Sequence, residues 1–395
     1  MWHKEKRSIM TSLNIEELLP EKKILDLKAR IQETRWPDSV GEDSWDYGVP
    51  LSWLREMADY WANEWDWEVV ASEMNQWDHR KIEIEDLPLH FVHAPASVSD
   101  APALVLTHGW PWTFWDYRHL IGPLSRPEEF GFEGQQAFNV IVPSLPGFGF
   151  SVPLARSGVD VSEIARVWVS LMVEHLGHDK FCAFGGDWGA LITAHLAHAY
   201  PEKLIGAHLG LALIPGLDRR NLNENDFAES EKWMISRNQE SLPHISSHIA
   251  VHVQDPQTLG YALTDSPMGT AAWIWERRRN WSDCDGDIEN AFDREHLCTT
   301  AALYWCTGSI NSSLRIYHEH FRKPWPVVHE KKPLLSAPTG IAAFPKDVVH
   351  LPRKILEEYC NLKHYTLMPR GGHFGPVEAP EELAFEIRAF FSQLL

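Results

Sequence analysis

The stretch Phe181–Pro201, FCAFGGDWGALITAHLAHAYP, constrains this chain more than any other. A short apolar run ends in two glycines, an acid and a tryptophan. A run rich in alanine and leucine follows at once. This reads as a buried strand, a tight turn and a helix with no linker between them. Glycines at 185, 186 and 189 make steric sense if the turn is strained and closely packed. The helix then points its N-terminus at the turn and favours an anion there. The anion available is Asp187.

The surrounding sequence supplies the rest of a sheet. ALVLT (Ala103–Thr107) and FNVIVP (Phe138–Pro143) are apolar runs that end in Gly/Pro loops, and LIGAHLGLALIPG follows the helix. VSEIARVWVSLMVEHLG (Val161–Gly177) has helical spacing, and KIEIEDLPLHFVHA alternates like one strand. Strands that alternate with helices imply an α/β fold whose mostly parallel sheet is covered on both faces. Residues 12–80 read as helices broken by Pro37 and Pro50. From about Pro215 to Phe321 the pattern is helical again, and strand texture returns at PTGIAAFP and KHYTLMP before a closing helix, PEELAFEIRAFFSQLL. The expected organisation is an N-terminal helical meander over 1–80, core over 81–215, an inserted helical cap over 216–325 and core over 326–395. An insert at the carboxyl edge of such a sheet forms a lid over the ligand site.

Composition narrows the function. The chain has 395 residues and a net charge of −19, from 36 basic and 55 acidic residues. That balance speaks against a nucleic-acid partner, which rewards basic stripes. Its apolar runs are too short for a transmembrane segment. The start, MWHKEKRSIMTSLNIEELLPEKK, lacks the apolar core of a secretory signal. Five scattered cysteines form no CxxC pair, so neither a disulfide scaffold nor a zinc site is indicated, and a reducing cytoplasm is the expected setting. His195 and His198 share a helix face. Without a third ligand they read as packing rather than metal binding. The 19 tryptophans read singly as core, although an insert rich in them could line an apolar pocket.

Three loops fall at strand ends: HGWP (His108–Pro111), GGDWG (Gly185–Gly189) and GGHF (Gly371–Phe374). The chain order is Asp187, an acid, then His373, the nucleophile–acid–histidine order of α/β hydrolases with aspartate in place of serine. An aspartate that attacks an ester carbonyl makes an anhydride and gains little. One that attacks a saturated carbon makes an alkyl ester, which water cleaves at the aspartate's own carbonyl. His373 would activate that water, an acid would orient the imidazole, and the backbone N–H groups of Trp110 and Trp188 would hold the oxyanion. The chemistry points to a leaving group on sp³ carbon: an epoxide or an alkyl halide. No cofactor and no metal is implied.

HGWP, PSLPGFGFS (Pro143–Ser151), GGDWG, YALTDSPMGTAAWIWE (Tyr261–Glu276), LYWCTGSINSSLRIYHE (Leu303–Glu319), FPKD (Phe344–Asp347) and GGHF together resemble the microsomal-type epoxide hydrolases over nearly the whole chain. The resemblance implies an α/β-hydrolase fold with N-terminal meander and helical cap. It implies Asp187 as nucleophile, Asp347 as triad acid, His373 as base and Tyr317 as one of two cap tyrosines that protonate the epoxide oxygen. It further implies a small apolar epoxide-type substrate, a role in detoxification, and compatibility with a homodimer. The second cap tyrosine falls on His248, about eight residues before Pro256. Either His248 donates in its charged form, or it is a packing residue and Tyr261 or Tyr304 supplies the second donor. A dehalogenase using the same aspartyl ester is the alternative activity, since halide leaves without a proton. A ligand-binding or specialised biosynthetic member is a third reading.

Overall fold

The computed structural model describes residues 10–40 and 44–395. The first nine residues of the stretch in which no apolar leader is expected, 1–9, lie outside the described residues, as do residues 41–43. Among the described residues nine strands form one sheet. They are β1 (Thr11–Leu13), β2 (Asp78–Ile84), β3 (Leu87–Ala94), β4 (Ala103–Thr107), β5 (Asn139–Pro143), β6 (Phe181–Gly185), β7 (Leu204–Leu209), β8 (Leu335–Ala343) and β9 (Cys360–Leu367). Their order is β1-β2-β3-β5-β4-β6-β7-β8-β9. The pairs β1·β2, β2·β3 and β3·β5 are antiparallel. From β5 to β9 every pair is parallel. β4 and β6 lie at the centre and every residue in them is buried, as continuous apolar runs demand when helices cover both faces.

KIEIEDLPLHFVHA is two strands rather than one. Glu85 and Asp86 both take positive φ, 49° and 64°, which turns the chain back on itself as a two-residue hairpin. The alternation survives across the turn and hides it. Likewise β1 and the start of β2 occupy the ends of the region read as purely helical.

The helices Glu21–Gln32, Leu51–Asn63 and Trp67–Met74 bury Leu27, Met57, Trp61 and Val70. Five helices, Trp233–Gln254, Pro256–Asp265, Pro267–Trp281, Arg294–Cys306 and Ser309–Phe321, stand between β7 and β8. The two helical groups brace each other. Trp61 packs on Trp275 with ring centres 5.8 Å apart, and the Trp65 indole N–H donates to Thr299 Oγ1 at 3.1 Å. A buried charge cluster then ties the insert to the sheet. Arg278, at the end of the helix Pro267–Trp281, donates to Asp116 Oδ1 (2.8 Å) and to the Pro111 carbonyl (3.0 Å). Both charged side chains are fully buried, and the guanidinium lies over the Phe374 ring, 4.8 Å from its centre. One cation thus joins the insert, the loop after β4 and the loop that carries His373.

Candidate active site

The turn after β6 has the strain its sequence foretold. Asp187 has φ +48° and ψ −126° and caps the helix Trp188–Ala199, an arrangement only a tight surround sustains. Side chains are excluded on both sides of it. A Cβ on Gly189 would meet the Thr107 carbonyl oxygen at 1.9 Å, and one on Gly109 would meet Asp187 Oδ1 at 2.1 Å. The loop after β4 therefore closes directly on the carboxylate, and the Trp110 N–H donates to Asp187 Oδ1 at 2.7 Å.

Asp187 Oδ2 lies 3.2 Å from His373 Nε2, and His373 Nδ1 lies 2.7 Å from Asp347 Oδ1. The three side chains read from separate loops form one continuous chain. Burial alone would push the His373 pKa down. The Asp347 charge and the hydrogen bonds with Asp187 and Asp347 overcome it and raise the value to about 10. The resting imidazole therefore carries a proton between two carboxylates. Arg237 fixes the acid from behind by donating to the Asp347 carbonyl (3.0 Å). The His373 N–H donates to the Trp281 carbonyl (2.8 Å), so the end of an insert helix also positions this loop.

A cavity opens above Asp187. Its walls are largely apolar, among them Leu191, Leu211, Ile245, Ile249 and Val349, with Trp188 and Trp281 beside Asp187 and His373. Tyr317 and His248 reach it from the insert. Their rings stand edge to face, 5.3 Å apart. Burial, then the Asp187 charge, holds the Tyr317 phenol well above its usual pKa, so it keeps its proton. The Trp188 indole N–H lies beside the phenol and partly offsets that shift, off the line of a formal hydrogen bond.

Of the residues read as second donors, His248 is the one that lines the cavity. Burial drives its pKa well below 6.5, so the ring is neutral and the expected charged donor does not form. A neutral imidazole still carries one N–H. The other candidates stand aside. Tyr261 is 71% exposed, and the Tyr304 hydroxyl donates to the Trp112 carbonyl at 2.6 Å. His252, behind Tyr317 with ring centres 4.7 Å apart, accepts the Trp273 indole N–H at Nε2 (3.0 Å), which places its own proton on Nδ1.

His195 and His198, which share a helix face, are structural. His195 pairs with the Trp325 indole, and His198 sits between the Leu334 carbonyl and the Val328 N–H. Among the described residues no group of side chains could hold a metal ion. Of the tryptophans, Trp61, Trp65, Trp168 and Trp275 are fully buried core.

Sequence reasoning missed Glu378. Its buried carboxylate accepts the N–H groups of Gly372 (2.9 Å), Phe374 (2.8 Å) and Asp283 (2.6 Å). It thus grips the backbone on either side of His373. An acid five positions after the histidine was the available signal, and nothing in its neighbours marks it as buried.

Comparison with known proteins identifies the family. The family described as "Epoxide hydrolase N terminus" matches residues 14–117, and "alpha/beta hydrolase fold" matches residues 102–285. Epoxide hydrolase 1 of Oryctolagus cuniculus is 34% identical over 394 aligned positions, covering 94% of this chain and 86% of the relative. The chain belongs to the epoxide hydrolase family. Its structure superposes on the epoxide hydrolase of Aspergillus niger with a TM-score of 0.84 at 26% identity, covering 98% of this chain and 97% of the other. The juvenile hormone epoxide hydrolase of Bombyx mori gives 0.85 at 25% identity, covering 99% and 96%. The fold is the α/β-hydrolase fold, and the protein is an enzyme of the epoxide hydrolase type. No helix among the described residues is long and apolar enough to cross a membrane.

Proposed function

We propose that this enzyme opens a small apolar epoxide to a vicinal diol through an alkyl ester on Asp187. Residues 216–325 serve as a cap over the site. Asp187 Oδ2 attacks a ring carbon, the C–O bond breaks, and the epoxide oxygen takes a proton from the Tyr317 phenol while the neutral His248 N–H supports it. The observation that carries this reading is the placement of Asp187 itself. One oxygen is held by the Trp110 N–H and the other faces His373. The held oxygen becomes the ester carbonyl, already on a backbone donor. The Trp188 N–H, at the N-terminus of its helix, would be the second oxyanion donor.

Alkylation removes the negative charge that helps keep His373 protonated. The imidazole then gives its proton, through solvent, to the Tyr317 phenolate and becomes the base that draws a proton from water. Hydroxide adds to the Asp187 carbonyl carbon, the ester bond breaks, the departing alkoxide takes the proton of the new Asp187 carboxyl, and the diol leaves with one oxygen from Asp187. A single turnover in ¹⁸O-water tests the sequence of bonds. The label should enter the Asp187 peptide and not the first diol; a labelled first diol would refute the ester.

One observation favours the halide reading. Tyr317 is the one tyrosine among the residues lining the cavity, and the Trp188 indole N–H lacks a formal hydrogen-bond partner. Chloride release from 1-chlorohexane, followed beside diol formation from styrene oxide, separates the two activities. A cytoplasmic setting is part of the proposal, supported by five unpaired, buried cysteines.

A further inference from the structure

Two buried imidazole nitrogens beside the cavity have no hydrogen-bond partner among the described residues: Nδ1 of His248 and Nδ1 of His252. Both side chains come from the helix Trp233–Gln254, one turn apart, so they share a face. Their rings stand edge to face with centres 5.4 Å apart. The other rings against His252 are those of Trp110 (4.6 Å), Tyr317 (4.7 Å) and Trp273 (5.8 Å). Arg277 is the cation that bears on both imidazoles, and His373 bears on His248 as well. Burial and these cations oppose a second proton on either ring, so each ring has one proton to place. A buried polar group left unsatisfied costs stability, and here two such groups face one another's neighbourhood.

For His252 the place is already fixed. Its Nε2 accepts the Trp273 indole N–H at 3.0 Å, so its proton sits on Nδ1. His248 has no such constraint of its own. Its Nδ1 is sealed from solvent while the ring lines the cavity, which leaves Nε2 for the substrate. We propose that His252 is a positioning residue for ring opening: its Nδ1 proton pairs with His248 Nδ1 and so fixes the His248 proton on Nε2, at the cavity. The inference rests on the epoxide-opening reading of Asp187 and specifies how its second donor is set. Which nitrogen of an imidazole carries the proton is decided by the bond the other nitrogen makes. With Nδ1 accepting from His252, Nε2 meets the epoxide oxygen as a donor. In the opposite tautomer Nε2 turns a lone pair toward that oxygen and opposes the charge that develops there. A small turn of either ring closes the pair, and one bond then satisfies both buried nitrogens.

The tautomer is read without substrate, by long-range ¹H–¹⁵N correlation NMR of the full chain labelled at histidine, with His248 assigned by its absence in His248→Phe. The expected wild-type signal has the His248 proton on Nε2. His252→Phe should give a mixture of the two forms, and His252→Asn, whose amide N–H stands in for Nδ1–H, should restore the Nε2 form. A wild-type proton on His248 Nδ1, or a tautomer indifferent to His252→Phe, overturns the proposal. If His252→Phe does not fold, the wild-type signal and His252→Asn decide. Rapid quenching with styrene oxide, followed by mass spectrometry of the Asp187 peptide, reads the consequence. Alkylation should slow by about threefold to tenfold in His252→Phe, the worth of one neutral hydrogen bond, and largely recover in His252→Asn, with ester breakdown unchanged. In a His248→Phe background, His252→Phe should cost nothing further; an undiminished loss there means that His252 does not act through His248 and overturns the proposal. If styrene oxide leaves Asp187 unmodified in every form, the epoxide reading fails separately, and the tautomer still decides whether His252 sets His248.

Discussion

His373 Nε2 faces Asp187 Oδ2 at 3.2 Å while its other nitrogen is held by Asp347 at 2.7 Å. The imidazole is therefore coupled to the charge of Asp187. Burial alone would favour the neutral ring, and the two carboxylates reverse that to give a pKa of about 10. A base that is protonated at rest is idle until the nucleophile loses its charge. In the proposed reaction, the order of the two half-reactions follows from this coupling.

Replacing Asp187 by asparagine imitates that loss. The His373 pKa should fall by about 1–3 units, the usual effect of one adjacent opposite charge. The shift is read by NMR titration of the imidazole. The sign carries over to stability. A histidine whose pKa is raised on folding contributes stability that is complete below about 6.5 and is lost as pH rises through about 10. Wild-type unfolding free energy should therefore decline between pH 7 and 10 more steeply than that of Asp187→Asn. Equal slopes would show that the two side chains are not coupled.

With His373→Gln the ester should form and persist. Mass spectrometry after incubation with styrene oxide should show an adduct of the substrate's mass on the peptide that contains Asp187. Steady turnover should fall by about 10²–10⁴, the usual contribution of a general base. An unmodified peptide together with lost turnover would move His373 to the first half-reaction.

Tyr317→Phe removes the phenol that faces the developing alkoxide. Ring opening should slow by about 10²–10⁴, and breakdown of a preformed ester should change little. His248→Tyr supplies a stronger acid at the facing position and should speed ring opening. The two rates separate in stopped-flow fluorescence, because Trp110 and Trp188 stand 6.0 Å and 4.7 Å from Tyr317. Equal slowing of both steps in Tyr317→Phe would remove the donor role.

The parts that the sequence made legible are those built from local patterns. Asp187 stood out because its turn needs glycines that any backbone tracing the same path would need, and β4 and β6 because buried strands are apolar throughout. The hairpin between β2 and β3 was hidden because Glu85 and Asp86 lack the glycine or asparagine that usually marks such a turn. The placement of His248 in the cavity wall was hidden for another reason. Tyr261, Tyr304 and His248 are equivalent in one dimension, and only the seating of the insert turns the first to solvent and spends the second on Trp112. Glu378 and Arg278 read as ordinary helix acids and bases. Their burial depends on residues more than ninety positions away, Asp283 for one and Asp116 for the other.

Arg278 should be among the costliest residues to remove. Asp116 is fully buried, which alone would raise its pKa, yet Arg278 and His296 hold it well below the usual carboxylate range. Arg278→Met strands that charge and should cost about 3–5 kcal/mol in denaturant unfolding at pH 7. Since the pKa of Asp116 is depressed, this contribution is present above about pH 4 and is lost only in strong acid. Adding Asp116→Leu should recover much of the loss. A cost below about 1 kcal/mol would mean the cap does not depend on this pair.

Glu378 touches neither the cavity above Asp187 nor the reacting atoms, so it is a positioning residue. Burial raises its pKa, and the backbone N–H groups of Asp283, Phe374 and Gly372 pull it back, which leaves it at about 7. Ionised, it satisfies all three donors and holds Gly372 and Phe374 around His373. Protonated, it turns an O–H toward a loop that offers only N–H groups. Since its pKa is raised on folding, the group favours the fold most below about 4.5, and that contribution is lost as pH rises through about 7. Grip on the loop has the opposite sign and is complete only above about 7. Breakdown of the Asp187 ester should therefore rise across neutrality in the wild type. Glu378→Gln sets an amide NH₂ against a backbone N–H, so ester breakdown should slow by about tenfold or more, as one unsatisfied buried donor implies, and its inflection near pH 7 should vanish. Glu378→Asp, which keeps the charge on a shorter arm, should retain the inflection at a reduced rate. A variant that lost stability but kept the inflection near pH 7 would show that another group sets it.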